Sequence, residues 1–401
     1  MPLDILFQKR LRFIGSVGLR VAYAAVLYLA QLLAALGAIS GHFSTYIASI
    51  TVVGLLSLIV VKGTPVVIAR EVAKRRDVSE MIYNVLRRSM KVIGVGAIIC
   101  FLFIFFEKRY SYVILSSILF LFAMVAAEVT GAVLRGAEKF VQQLTNMLLG
   151  SLLVLGMVLL LEGDIYDYEL ILIFGIGNLI AAVLNAMYIC CLPVYTKKAD
   201  SGDEGGLFAT SILTHLFYSL DRILAPILLP QGVAEIYSKM VVLVGRPFQI
   251  LAQTMEQYLL AHFSRNRKAS IILKLSSISS VIFALSMFLF ISGVGAIFLL
   301  DTSDGLLISL AILISSAYIL WLIYSMIGAR IWSLGRSIYP KVYIRYFFPF
   351  AVSASVVGIT AAGYWESAYI LAFMVNFLHL IRAIIMFSLN RRLDLLLKYR
   401  S

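Results

Sequence analysis

The chain has 401 residues, of which 61% are hydrophobic and 14% charged, and its formal net charge is +13. Soluble domains are usually about 45–50% apolar and about 25% charged, so this composition excludes an ordinary soluble protein. Apolar runs of about 20 residues recur along the chain without period-two alternation, which indicates a polytopic helical membrane protein and not a membrane barrel.

Twelve apolar segments are predicted to cross the membrane as helices. They are 13–38, 43–69, 90–106, 110–134, 140–161, 168–193, 207–229, 234–262, 271–300, 306–329, 342–363 and 367–390. The loops predicted to face outward are all short, so they provide no external domain that could hold a catalytic site. The predicted fold class is therefore an all-α polytopic membrane protein.

Positive residues are distributed very unevenly between the two sets of loops. In the loops predicted to face outward, only Lys108 and Arg109 are basic, whereas the inward loops hold most of the chain's Lys and Arg residues. The positive-inside rule then places both termini in the cytoplasm. This asymmetry and contact with anionic membrane lipids explain the net charge, so nucleic-acid binding is not predicted.

The longest polar break divides the chain into equal halves. The predicted organisation is an N-terminal six-helix bundle at 1–194, a cytoplasmic linker at 195–206 and a C-terminal six-helix bundle at 207–401. Such halves are typical of transporters built from two parallel repeats. A weak sequence echo supports this: Gly41-x4-Tyr46 and Gly232-x4-Tyr237 each open the second helix of a half.

No cofactor or metal is predicted from the sequence. Cys100, Cys190 and Cys191 lie in apolar runs and are interpreted as packing residues, not as a disulfide framework or a metal site. The chain has no metal-ligand spacing, nucleophile elbow or Walker loop, so bound ATP is not expected.

Three stretches at span boundaries resemble the motifs of a known family. They are Gly41-His-Phe-Ser-Thr-Tyr46 with Gly54, Gly63 and Ala69-Arg70-Glu71, then Gly131-Ala-Val-Leu-Arg-Gly-Ala-Glu-Lys-Phe140, then Asp221-Arg222 with the turn from Gly232 to Tyr237. In this order they resemble polysaccharide flippases of the O-antigen type, in the multidrug/oligosaccharidyl-lipid/polysaccharide exporter (MOP) superfamily.

The resemblance implies two six-helix bundles around a central cavity with alternating access. The implied substrate is an oligosaccharide linked to undecaprenyl pyrophosphate, moved across the bacterial inner membrane without enzymatic chemistry. A polysaccharide polymerase and a chain-length regulator are the implied protein partners.

Two other functions stay open at this point. A cation-coupled drug or small-metabolite exporter of the same superfamily would share the topology. A membrane-embedded polysaccharide polymerase or acyltransferase would need a large external loop or a catalytic cluster, and the sequence offers neither.

Five cations within the spans are candidates for binding a pyrophosphate headgroup: Arg20, Lys62, Arg222, Lys239 and Arg246. Charged residues inside a membrane usually face a cavity, and arginine grips phosphate with two parallel hydrogen bonds. Since spans one, two, seven and eight are equivalent first pairs, we expect these cations to line one cavity. Snorkelling to the interface stays open for Lys62 and Lys239, and a structural ion pair stays open for Arg222.

Three acids within the spans are candidates for ion coupling: Glu128, Asp221 and Glu256. A purely structural role as salt-bridge partners is the alternative for each of them. His379 is interpreted as structural. Arg382 is expected to snorkel to the cytoplasmic interface and is left out of the predicted site.

Overall fold

The computed structural model describes residues 3–35, 43–61, 63–104, 108–137, 139–161, 166–193, 195–197, 204–245, 248–249, 252, 305–333 and 338–398. Over these ranges the regular structure is helical and contains no β-strand, which confirms the all-α prediction. The helices are α1 (Leu3–Leu33), α2 (Phe43–Val61), α3 (Thr64–Ala73), α4 (Ser79–Ile104), α5 (Lys108–Gly136), α6 (Phe140–Leu160), α7 (Asp167–Ile189), α8 (Glu204–Leu228), α9 (Gln231–Met240), α10 (Gly305–Ser333), α11 (Ile338–Trp365) and α12 (Ala368–Lys398).

The described helices account for the predicted spans except the ninth and part of the eighth. The ninth predicted span, 271–300, lies outside the described residues, and so does most of the second half of the eighth. Within the described part of the chain, seven helices are long and apolar enough to cross a membrane. The protein is therefore a multi-pass membrane protein.

Several helix boundaries differ from the predicted spans, and the structure gives a local cause for two of them. α4 begins at Ser79 and not at residue 90, because the Asp77 carboxylate accepts hydrogen bonds from the Ser79 amide at 2.9 Å and from its hydroxyl at 2.6 Å. The second predicted span is interrupted at Gly63, whose positive φ of 74° ends one helix before Thr64 begins the next. Pro65 follows in the first turn of α3, where a missing amide hydrogen is tolerated.

The chain divides into two compact units, Met1–Ile212 (the N-terminal unit) and Leu213–Ser401 (the C-terminal unit). The division falls within α8, which begins at Glu204, inside the predicted linker 195–206. The backbone amide of Asp77 also donates a hydrogen bond of 2.8 Å to the carbonyl of Lys197. The chain leaving α7 is therefore held against the loop between α3 and α4.

Within the N-terminal unit, α5 and α7 pack side by side and run in the same direction. The ring centroids of Tyr112 and Tyr168 lie 5.3 Å apart, and further along the pair Asn185 Nδ2 lies 3.4 Å from Thr130 Oγ1. Residue numbers in the contacting pairs increase along both helices, which is the pattern of a parallel pair. These two helices are the fourth and sixth predicted spans.

Within the C-terminal unit, α10 and α12 pair in the same parallel manner. The Ser309 and Tyr369 hydroxyls lie 3.0 Å apart, and the Ser316 hydroxyl donates to Asn376 Oδ1 at 2.7 Å. These helices are the tenth and twelfth predicted spans, which correspond to the fourth and sixth if the halves are repeats. Each unit is thus built around an equivalent parallel pair, an arrangement that two parallel repeats would produce.

Two of the stretches that carry the family resemblance meet at one end of α5. A Cβ added to Gly136 would lie 2.5 Å from the carbonyl oxygen of Ala69 and 2.7 Å from Val72 Cβ, so this contact requires glycine. Beside it, the buried Glu71 carboxylate forms ion pairs of 2.9 Å with both Lys74 and Arg76. Ala69 and Val72 of α3 therefore form a packing junction with Gly136 of α5.

The packing role predicted for two of the cysteines is wrong. Cys190 and Cys191 are both exposed, because α7 ends at Ile189 and the chain turns at the two residues that follow. The side chain of Cys100 lies outside the described residues.

Candidate functional site

Asp221 forms a buried hydrogen bond with a tyrosine of the next helix. Tyr237 on α9 donates its hydroxyl to Asp221 Oδ2 at 2.8 Å, and the two residues are only 1% and 3% exposed. The second carboxylate oxygen, Oδ1, has no hydrogen-bond partner among the described residues. One oxygen of a buried carboxylate is therefore left to accept a proton or a cation.

Arg222, the next residue of α8, turns towards α10. Its Nη2 donates a short hydrogen bond to the Tyr318 hydroxyl, and its Cζ lies 5.8 Å from the centre of that ring. The side chain is half-buried, and its Nε has no hydrogen-bond partner in the described part of the chain. The guanidinium is held in place at one end and retains an unused donor.

A second arginine, Arg382 on α12, lies over the ring of Tyr324. The Cζ of Arg382 is 4.2 Å from the ring centre, and Arg382 Nη1 donates to the Tyr324 hydroxyl at 3.3 Å. The Tyr324 hydroxyl also lies 2.9 Å from Nδ1 of His379. The expectation that Arg382 snorkels to the interface is wrong: the tyrosine offers both a π face and an acceptor, and the arginine is 9% exposed.

Aromatic stacking joins the two arginines through one continuous group. The Trp321 ring stacks on Tyr318 with centroids 5.7 Å apart and on His379 with centroids 5.8 Å apart. We call this group the guanidinium–aromatic cluster, and its members are Arg222, Tyr318, Trp321, Tyr324, His379 and Arg382. It lies within the C-terminal unit and connects α8, α10 and α12.

Most of the guanidinium–aromatic cluster was missed by sequence reasoning, although a signal was present. Tyr318, Trp321 and Tyr324 follow at spacings of three on α10, and His379 and Arg382 are three apart on α12. These spacings place each set on one helix face. Nothing in either pattern alone shows that the two faces meet.

The other predicted cations are dispersed or not described. Lys62 and Arg246, and the predicted acid Glu256, lie outside the described residues. Lys239 is half-buried in the last turn of α9, and no described contact joins it to the guanidinium–aromatic cluster. The single cavity expected to contain all five cations therefore stays a prediction.

Arg20 belongs to the N-terminal unit, where its charged neighbours are Arg135 and Glu128. Glu128 pairs with Arg135, with an oxygen–nitrogen distance of 2.9 Å, and its side chain is 51% exposed. The structure thus gives Glu128 an ion-pair partner, and its role in ion coupling stays a prediction.

The N-terminal unit also contains a buried amide network that the sequence did not indicate. Asn146 Nδ2 donates to Asn185 Oδ1 at 2.9 Å, and Asn185 continues to Thr130. The network joins α5, α6 and α7. Because both asparagines are at most 2% exposed, their side chains are unavailable to a ligand. Among the described residues there is no group of three His, Cys, Asp or Glu side chains that could hold a metal ion.

No protein-family profile matches this chain, and no curated protein matches it. The chain is, however, similar to several solved structures. An inward-facing multidrug resistance MATE family transporter of the MOP superfamily aligns with a TM-score of 0.53 and 13% identity, over 94% of this chain and all of the other.

Two further structures are similar over nearly the whole chain. The lipid II flippase MurJ, in an inward closed conformation, gives a TM-score of 0.57 at 13% identity, covering 96% of this chain and 90% of that one. The eukaryotic MATE transporter AtDTX14 gives 0.57 at 14% identity, covering 97% and 98%. At these identities the comparison shows a shared fold: this chain folds as the MATE and MurJ transporters do.

Proposed function

We propose that this protein is a flippase of the MOP superfamily that moves an undecaprenyl-pyrophosphate-linked oligosaccharide across the bacterial inner membrane. The observation that supports it best is the guanidinium of Arg222. It sits half-buried in an apolar span, anchored by Tyr318 and with Nε unpartnered within the described structure. A desolvated guanidinium with an unused donor is suited to an anionic ligand such as a phosphate group, and not to a cationic ligand.

The shared fold supports a transporter and not an enzyme. The three similar structures are all transporters or flippases by name, and one is a flippase of a lipid, lipid II. In the proposed cycle the pyrophosphate and sugars enter a cationic cavity from the cytoplasm while the polyprenyl tail stays in lipid. The two bundles then rock to expose the cavity outward.

A polysaccharide polymerase and a chain-length regulator would receive the exported repeat unit. These partners follow from the proposed substrate, because a translocated unit must next be joined to others.

One observation favours a second function, a cation-coupled exporter of drugs or small metabolites. Asp221 is a buried carboxylate, and one of its oxygens has no hydrogen-bond partner within the described ranges, which suits a proton or a metal cation. Two of the similar structures are MATE transporters, and one of these is named for multidrug resistance. Fold similarity supports this alternative as well as it supports the flippase.

Deletion of the gene in its native host separates the two functions. A flippase mutant would lose surface polysaccharide on a gel and accumulate a lipid-linked oligosaccharide inside the cell, with unchanged drug susceptibility. Complementation should succeed with wild type and with Arg345→Ala, an exposed arginine on α11, and should fail with Arg222→Ala or Arg20→Ala.

The opposite pattern would reject the flippase. Intact polysaccharide in the deletion strain together with greater drug susceptibility would establish the exporter in its place. Normal polysaccharide in both arginine variants would show that neither residue binds the substrate.

A further inference from the structure

The ring of Tyr318 lies directly on the backbone of Gly245. A Cβ built at Gly245 would be 2.5 Å from Tyr318 Cζ, 2.9 Å from Cδ2 and nearer still to Cε2. Separations under 3.0 Å essentially never occur for real Cβ atoms. A side chain at position 245 is therefore incompatible with the present position of this ring.

The ring has little room to move aside. Tyr318 is 4% exposed, and it is backed by Trp321 and His379, whose rings lie 5.7 and 6.3 Å away between centroids. An added methyl group at position 245 would have to displace a packed aromatic stack and not a flexible side chain.

A local change of helix geometry presents Gly245 to α10. The helix that starts as α9 widens into a π-turn at Val241–Gly245, and all five of these residues are buried. This π-turn packs against α10. Single π-turns inside α-helices are often found at functional sites, where they redirect a short stretch of backbone.

The edge of the Tyr318 ring that faces Gly245 is tied to the proposed binding site. Tyr318 Cζ carries the hydroxyl that accepts the hydrogen bond from Arg222 Nη2. The backbone of Gly245 thus fixes the position of the Tyr318 ring. The ring fixes the position of its hydroxyl, and the hydroxyl fixes the position of the Arg222 guanidinium.

We propose that Gly245 and Tyr318 are positioning residues, which hold the Arg222 guanidinium where it binds the phosphate groups of the substrate. The inference rests on the proposed function. Neither residue needs to touch the substrate, because Tyr318 is buried and Gly245 has no side chain. Arg222 supplies the donor, because its Nε has no hydrogen-bond partner among the described residues.

Two substitutions break this chain of contacts at different links. Tyr318→Phe keeps the aromatic ring in its present position and removes the hydroxyl. Gly245→Ala keeps the hydroxyl and displaces the ring. If both act only through Arg222, the double variant should be no worse than either single variant, since the same contact cannot be lost twice.

Tryptophan fluorescence provides the measurement. The chain has three tryptophans, and replacing Trp332 and Trp365 with Phe leaves Trp321, whose ring stacks on Tyr318. The full-length protein in detergent would be titrated with inorganic pyrophosphate. Gly232→Ala is the matched control, because it lies on α9 and an added Cβ there has nothing within 4 Å.

We expect wild type and Gly232→Ala to bind pyrophosphate equally. Tyr318→Phe and Gly245→Ala should each raise the Kd by about tenfold, and the double variant should stay within about twofold of either. Trp321 emission should change in Gly245→Ala, where the ring moves, and not in Gly232→Ala.

An unchanged Kd for pyrophosphate in Gly245→Ala would overturn the positioning role, and so would a double variant whose increase in Kd is the product of the two single increases. Either result would leave the proposed flippase function standing. Tyr318→Phe keeps the buried ring, so it tests the link to Arg222 even where Gly245→Ala fails to fold. Wild-type protein that binds no pyrophosphate would reject both the positioning role and the anionic substrate.

Discussion

The Tyr237 hydroxyl donates a hydrogen bond of 2.8 Å to Asp221 Oδ2 in the interior of the C-terminal unit. Among the described residues, Tyr237 is the side-chain hydrogen-bond partner of this carboxylate. Removing the tyrosine hydroxyl would leave this buried carboxylate without a hydrogen bond from any described side chain. We therefore expect Tyr237→Phe to destabilise the protein by about 1–3 kcal/mol. Asp221→Asn keeps an acceptor for Tyr237 and should cost less. Thermal unfolding in detergent measures both variants, and an unchanged midpoint in Tyr237→Phe would show that the bond contributes little.

Arg382 is predicted to be a structural residue of α12. Arg382→Ala removes a cation stacked 4.2 Å from the centre of the Tyr324 ring, a contact worth about 2 kcal/mol when desolvated. The unfolding midpoint should fall clearly. Arg391→Ala provides the control, because it removes an exposed arginine from the same helix. Equal midpoints for the two variants would place Arg382 outside the packed core.

α6 and α7 are expected to need glycine where they touch. A Cβ on Gly177 would lie 2.9 Å from the carbonyl oxygen of Gly150 and closer still to Val154 Cγ2. Gly177→Ala should therefore destabilise the protein by about 1–3 kcal/mol through overpacking. Gly156→Ala on α6 meets open space and should be neutral or slightly stabilising. A stable Gly177→Ala variant would mean that these helices separate without cost.

The exposed thiols at the end of α7 test the predicted orientation. In a Cys100→Ser background, a membrane-impermeant maleimide should label Cys190 and Cys191 in inverted membrane vesicles and not in intact cells. The physical reason is that the end of α7 is predicted to be cytoplasmic. Labelling of intact cells would reverse the assigned topology, and no labelling in either preparation would contradict the exposure of both thiols.

Hydropathy predicted the helices well but not their ends. The cost of placing polar backbone in lipid makes long apolar segments helical, so the spans around α5, α6 and α7 are evident from residue type alone. The start of α4 depends on the Asp77 cap, and the break at Gly63 depends on one backbone angle. Neither feature changes the mean hydropathy of a window.

The candidate site was only partly predictable for a different reason. Asp221 and Arg222 stand out because charged residues are rare in apolar spans. Tyr318, the partner of Arg222, lies 96 positions further along the chain and looks like an ordinary membrane tyrosine. Arg382 was misjudged because its depth along the helix favoured snorkelling, whereas the ring that retains it belongs to another helix.

The ion pairs of Glu71 have a consequence for how the protein reaches and then sits in its membrane. While the chain is being inserted, Lys74 and Arg76 count among the predicted cytoplasmic charges that decide its orientation. After folding, both form ion pairs of 2.9 Å with the buried Glu71 carboxylate, whose single negative charge offsets one of the two positive charges. The positive charge that orients the nascent chain is thus larger than the charge that the mature protein offers to anionic lipid headgroups.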